Sequence, residues 1–104
     1  MKQVINGKMY NTETAEEICH VSNNLGSRDF SGFSFTLYKT KKGSYFAAGE
    51  GGPMTMFARP AGNMTSGGSG IIPLDASAAL HHAESSHSDA DSETIAKYFT
   101  VEEA

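Results

Sequence analysis

The chain has no tryptophan, a single cysteine and no long apolar run. One cysteine, Cys19, cannot form an internal disulfide, which favours a reducing compartment and excludes a cysteine-based zinc site. A membrane-spanning helix needs about 20 predominantly apolar residues, and no stretch of the sequence comes near that length. The first residues contain no apolar segment typical of a secretory signal. These absences predict a cytoplasmic protein that makes no contact with a membrane.

The composition predicts one small folded unit. The chain has 104 residues, of which 38% are hydrophobic, including six phenylalanines and four tyrosines. This length and this apolar content suit one modest core, so we expect a single domain over residues 1–104. Within it, the glycine-rich stretch 60–70 is expected to be a mobile loop, and residues 100–104 to form an acidic tail.

Local signals predict two β-hairpins and one further strand. Asn6-Gly7 is the two-residue signal of a type I′ turn. Apolar and polar residues alternate from Phe33 to Tyr38, a turn follows at 41–44, and a return strand ends at the glycines from Gly49 onward. Ile71 to Leu74 is a further strand, and Pro73 indicates either an edge position or the end of the strand, because proline donates no ladder hydrogen bond.

Three short helices are also expected. The capping box Thr14 to Glu17 precedes Ile18, Val21 and Leu25, whose spacing suits one face of a helix. Asp75 is a natural N-cap for a second helix, and a third is expected from Asp91 to Phe99. The sequence therefore predicts an α+β fold in which an antiparallel sheet of about four or five strands packs against about three helices.

Charge is distributed unevenly along the chain. Residues 1–74 carry five acids and seven bases, whereas residues 75–104 carry seven acids and one base. Such an acidic stretch is either a solvated helix face or a surface that attracts a basic partner. The candidate partner-binding acids are Asp75, Glu84, Asp89, Asp91 and Glu93.

Four segments carry a resemblance to a known group of proteins. Gly7 to Ala15, Thr36 to Phe46, Gly49 to Gly52 and Ile71 to Leu74 resemble a family of short proteins of bacterial mobile elements and prophages, over most of the chain. That context includes anti-CRISPR inhibitors, so the resemblance implies a binding role and supplies no catalytic residues. The chain departs from the family in its C-terminal third, where members have helices richer in glutamate and tryptophan than the segment from Leu80 to Ser85.

These observations favour a non-enzymatic protein that binds and inhibits a host defence complex, such as a CRISPR effector. In this hypothesis the candidate acids take the place of nucleic-acid phosphates against a basic channel. Tyr38, Tyr45 and Phe57 are the candidate aromatic anchors of the same contact. No cofactor is expected, and the exposed edge strand leaves homodimerisation open.

Lysines at the central hairpin provide an alternative. Lys39, Lys41 and Lys42 lie beside Tyr38 and Tyr45, and basic residues interleaved with aromatic ones are typical of single-stranded nucleic-acid binding. A soluble turn explains the same residues, so nucleic acid is the second choice of partner. The alternative function is therefore a nucleic-acid-binding regulator of a mobile element.

Other chemistry is not expected. His81, His82, Glu84 and His87 are metal-ligand types, but they lack the His-Glu-x-x-His order of a zinc helix. Exposed histidines around a break between two helices explain them better. Adjacent Cys19 and His20 would point in different directions on a helix, so a nucleophile and base pair is not expected there.

Overall fold

The computed structural model describes residues 1–25 and 29–104, and within these ranges it contains eight β-strands and two α-helices. The elements are β1 (Lys2–Ile5), β2 (Lys8–Asn11), β3 (Glu16–Ser22), β4 (Phe33–Lys39), β5 (Tyr45–Gly51), β6 (Arg59–Ala61), β7 (Met64–Ser66), β8 (Gly68–Leu74), α1 (Ala76–Glu84) and α2 (Ser92–Tyr98). Over the described ranges, an antiparallel sheet has the order β3-β4-β5-β8, with two smaller hairpin sheets beside it. The α+β prediction is confirmed.

Both predicted hairpins are present. Asn6 and Gly7 have φ angles of 51° and 76°, and β1 and β2 pair antiparallel on either side of them. In the central hairpin Gly43 has a φ of 92°, and the Thr40 amide donates to the Ser44 carbonyl at 2.8 Å. The return strand is two residues longer than the expected stretch from Tyr45 to Gly49, because β5 stays paired with β4 and β8 as far as Gly51.

The expected first helix is wrong, because residues 16–22 form strand β3 at one edge of the sheet. The register between β3 and β4 shifts between Glu17 and Cys19, so Ile18 is an extra residue in a β-bulge. A bulge breaks the two-residue alternation of a strand. Ile18 and Val21 are consequently both buried at a spacing of three, which imitates a helical stripe.

The segment 60–70, expected to be a loop, contains a third hairpin and the beginning of β8. Strands β6 and β7 pair antiparallel around Gly62 and Asn63. Gly62 has a φ of 65°, and glycine at the first central position suits a type II′ turn. The Arg59 guanidinium donates to the Ser69 carbonyl at 2.7 Å and so ties this hairpin to β8.

The two helices follow β8 and lie on one face of the sheet. Asp75 accepts a hydrogen bond from the Ala78 amide at 2.7 Å, which confirms it as the N-cap of α1. Asp91 does the same for α2 through the Thr94 amide at 2.8 Å. Pro73 lies in edge strand β8, as predicted. In the described ranges neither helix is long and apolar enough to cross a membrane.

The sheet is covered on both faces. On the helix face, Leu37 and Phe35 are buried with Ala79 and Ala83 of α1. On the other face, the β1-β2 hairpin places Tyr10 against Phe46 and Ile71, and the Tyr10 and Phe46 rings meet edge to face at 5.5 Å.

Candidate functional site

Four of the five candidate acids lie in the segment 84–93, which connects α1 to α2 and which we call the acidic segment. Glu84, Asp89, Asp91 and Glu93 are all exposed there, and the segment contains no lysine or arginine. Asp75 lies apart from them at the start of α1, whose nine residues span roughly 13 Å. The fold thus concentrates negative charge at one end of the helical layer.

Several of these acids also hold the local structure. Asp75 and Asp91 cap the two helices. The hydrogen bond from the Thr94 amide lowers the pKa of Asp91, so this carboxylate stays ionised. Asp89 accepts from the His20 amide at 2.8 Å and connects the acidic segment to β3. Glu84 and Glu93 cap no helix, so they are the side chains best suited to mutation.

A groove of about 440 Å³ opens at the same end of the sheet, and we call it the apolar groove. Its lining residues are Asn23, Ser31, Phe33, Phe35, Met54, Thr55, Met56 and His82. Met54 is 74% exposed and Met56 is 39% exposed, although both side chains are apolar. The groove is therefore an accessible apolar surface.

Two histidines join the apolar groove to the acidic segment. The His82 ring, in the last turn of α1, meets the Phe35 ring edge to face at 5.2 Å. The His87 ring, within the acidic segment, meets the Phe33 ring in the same way at 5.6 Å. The two features consequently form one continuous surface. Burial, and secondarily the charge of neighbouring His81, lowers the pKa of His82.

The lowered pKa of His82 predicts a dependence of stability on pH. Its ordinary pKa is about 6.5, and the folded protein favours the neutral ring. Just below this pH, the unfolded chain therefore binds more protons than the folded protein does. The stability that the neutral His82 ring contributes is fully present above pH 6.5 and is lost as the pH falls through the folded-state pKa. We expect a lower urea midpoint at pH 5 than at pH 7.5, with the difference reduced in His82→Gln.

The matched control for this experiment is His87→Gln, which removes an exposed histidine of the acidic segment. The control is expected to retain the wild-type dependence on pH. An equal loss of pH dependence in both variants would contradict the assignment to His82.

Two of the three predicted aromatic anchors are buried in the core. Tyr45 and Phe57 are only 8% and 4% exposed, and both belong to the core on the helix face. Tyr45 stacks on Phe99 with ring centroids 4.9 Å apart. Tyr38 is partly exposed but stacks on Phe46 at 5.0 Å, and burial together with the charge of Glu17 raises its pKa.

The lysines of the central hairpin do not act as one exposed patch. The Lys39 ammonium donates to the Tyr98 carbonyl at 3.3 Å, at the C-terminal end of α2, where a positive charge is favourable. Lys41 and Lys42 are exposed in the turn. Lys39, Lys41 and Lys97 line a hollow of about 380 Å³ together with Glu16, Thr40 and Tyr98.

Cys19 and His20 point to opposite faces of β3. Cys19 is buried, and burial raises the pKa of its thiol. His20 is exposed, with its ring nitrogens 3.0 Å from the Ser34 hydroxyl and 3.2 Å from the Thr36 hydroxyl. Strand β4 pairs with both β3 and β5, so the backbone amides near Ser34 donate their hydrogen bonds within the sheet. In the part of the chain described here, no group of three metal-ligand side chains comes together.

The apolar groove was not predicted from the sequence. Its residues come from three distant stretches, around Phe33, Met54 and His82, and no local pattern connects them. One signal was present in Pro53-Met54-Thr55-Met56, a short segment that follows a proline and contains two methionines. Exposed methionines outside a regular element are a feature of adaptable binding surfaces.

Comparison with protein-family models, with curated proteins and with solved structures finds no match to this chain. The resemblance to proteins of mobile elements therefore stays a prediction. The structure defines a small α+β protein with an acidic segment beside an apolar groove.

Proposed function

We propose that this protein is a non-enzymatic binding protein that inhibits a partner by covering a basic surface. The observation that carries the proposal is the acidic segment, where Glu84, Asp89, Asp91 and Glu93 are exposed without a lysine or arginine among them. Electrostatic complementarity of this kind accelerates association and excludes partners of the wrong charge. The proposed partner is a host defence complex with a nucleic-acid-binding channel, such as a CRISPR effector.

The structure supports a binding role in a second way. Asp89 and Asp91 are held by hydrogen bonds to backbone amides, so their carboxylates are fixed before a partner arrives. Ordering side chains at an interface costs about 0.5–1.5 kcal/mol each, and groups that are already ordered avoid this cost.

Charge reversal at Glu84 and Glu93 tests the proposal. We expect Glu84→Lys/Glu93→Lys to weaken the partner complex by more than about tenfold, because like charges placed together cost several kcal/mol. The wild-type and variant proteins, tagged identically, would be used for affinity capture from a lysate of a host with intact defence systems. Retained proteins would be identified by mass spectrometry, and affinity would then be measured with the purified partner.

The matched control is Glu102→Lys/Glu103→Lys, which changes the net charge equally within the exposed segment 100–104. This control is expected to retain the partner. Equal retention by both charge-reversed proteins and the wild type would contradict the proposal.

A nucleic-acid-binding regulator is the second candidate, because three lysines line one hollow near the central turn. In that case the capture would recover nucleic acid that is lost after nuclease treatment or at high salt. Lys41→Ala/Lys97→Ala, which removes two of the three lysines of the hollow, would then abolish the recovery, and Glu84→Lys/Glu93→Lys would not.

A further inference from the structure

The apolar groove has the composition of a receptor for one large side chain. Phe33 and Phe35 line it together with Met54 and Met56, whose side chains are exposed. A volume of about 440 Å³ lies within the range of small-ligand sites in proteins. Methionine side chains are flexible and polarizable, so they adapt to the shape of an inserted group.

The surroundings of the groove determine the charge of what enters it. His82 forms part of its wall, and His87 contacts the Phe33 ring from the acidic segment. The chain carries four exposed carboxylates between Glu84 and Glu93 and no lysine or arginine there. When a segment of a partner places an apolar side chain in the groove, the residues on either side of that side chain lie beside the carboxylates. This negative charge favours lysine and arginine at those flanking positions.

We infer that the apolar groove receives one aromatic side chain from a basic segment of the partner, while the acidic segment contacts the basic residues on either side. This inference rests on the proposed function and adds the hydrophobic part of the contact. Aromatic anchors surrounded by polar contacts account for most of the binding energy in many interfaces. The acidic segment contributes attraction, and the groove contributes recognition of a particular side chain.

The test uses the full-length protein with ¹³C-labelled methionine methyl groups and a synthetic lysine-rich peptide with one central phenylalanine. Saturable shifts of the Met54 and Met56 methyl signals are expected. The signals of Met9 and Met64 are expected to stay unchanged, because these methionines are exposed but lie outside the groove. A peptide with serine in place of phenylalanine is expected to bind about tenfold more weakly, since burial of the ring is lost.

Two variants separate this inference from the proposed function. Met54→Gln/Met56→Gln is expected to remove the preference for the phenylalanine peptide over the serine peptide. This variant is still expected to bind both peptides with an affinity that decreases as salt is added. Glu84→Lys/Glu93→Lys is expected to lower the affinity for both peptides.

Equal affinity for the two peptides, with sensitivity to Glu84→Lys/Glu93→Lys, would overturn the inference and leave the proposed function in place. Methyl shifts that do not respond to the charge reversal would overturn both. Unchanged Met54 and Met56 signals at millimolar peptide would overturn the inference.

Discussion

Replacing Phe46 with alanine is expected to lower the free energy of unfolding by about 3–5 kcal/mol, the range for removing a buried aromatic ring. Phe46 is fully buried, and it is the largest of the side chains with almost no exposure. Its ring contacts Tyr10 on one side and stacks on Tyr38 on the other. Phe46→Ala therefore leaves a cavity between the four-stranded sheet and the β1-β2 hairpin.

Urea unfolding followed by circular dichroism would measure this change. A loss of this size is a large fraction of the total stability of about 5–15 kcal/mol that is typical of small proteins. Phe30→Ala is the matched control, because Phe30 is 69% exposed and its truncation is expected to change stability by less than about 0.5 kcal/mol. Similar midpoints for Phe46→Ala and the wild type would show that the hairpin does not pack as described.

Adding a single methyl group at Gly49 is expected to destabilise the fold by about 1–3 kcal/mol through overpacking. A Cβ atom at Gly49 would lie 2.5 Å from the Cα atom of Phe35 and 2.6 Å from its Cβ atom. Main-chain atoms of a central strand cannot move aside as the end of a flexible side chain can. Gly49→Ala therefore forces β4 and β5 apart where they meet at this register position.

The same unfolding experiment measures this effect, and Glu50→Ala provides the control. Glu50 is the next residue of β5 and is exposed, so its truncation is expected to be nearly neutral. A Gly49→Ala variant as stable as the wild type would mean that the strands have room for a side chain at Gly49.

Several predictions that depended on a few neighbouring residues were confirmed. The Asn6-Gly7 turn formed a hairpin because its two positive φ angles suit these residue types. Asp75 is the predicted N-cap of α1, because its side chain reaches the amide three residues later. The third expected helix begins next to Asp91, as predicted, and Asp91 caps it in the same way. The third hairpin also has a local signal, the two-residue turn Gly62-Asn63. This signal was missed because the stretch 60–70 was interpreted only from its glycine content.

The wrong helix shows how one inserted residue misleads a pattern. Ile18 is the extra residue of a bulge, and its side chain is buried together with that of adjacent Cys19. The pairing with β4 creates this bulge, and β4 lies more than ten residues further along the chain. A local spacing of three and four therefore suited a helix, although the long-range partner required a strand.

The candidate site divides in the same manner. The acids of the acidic segment are close in sequence, so composition was enough to single them out. The roles of the aromatic residues depended on the fold, because Tyr45 and Phe57 entered the core while Met54 and Met56 stayed exposed. A residue type alone does not determine which side of a sheet it faces.

The sequence by itself determined the fold class, two of the three hairpins, the N-cap of α1, the start of α2 near Asp91 and the strongly acidic C-terminal third. These properties follow from turn chemistry, capping and charge, each of which acts over a few residues. The tertiary structure alone decided that residues 16–22 pair as an edge strand and that Phe33, Met54 and His82 line one groove beside the acidic segment. Contacts between distant segments depend on how strands pair and which side chains they bury, and no short stretch of sequence records that outcome.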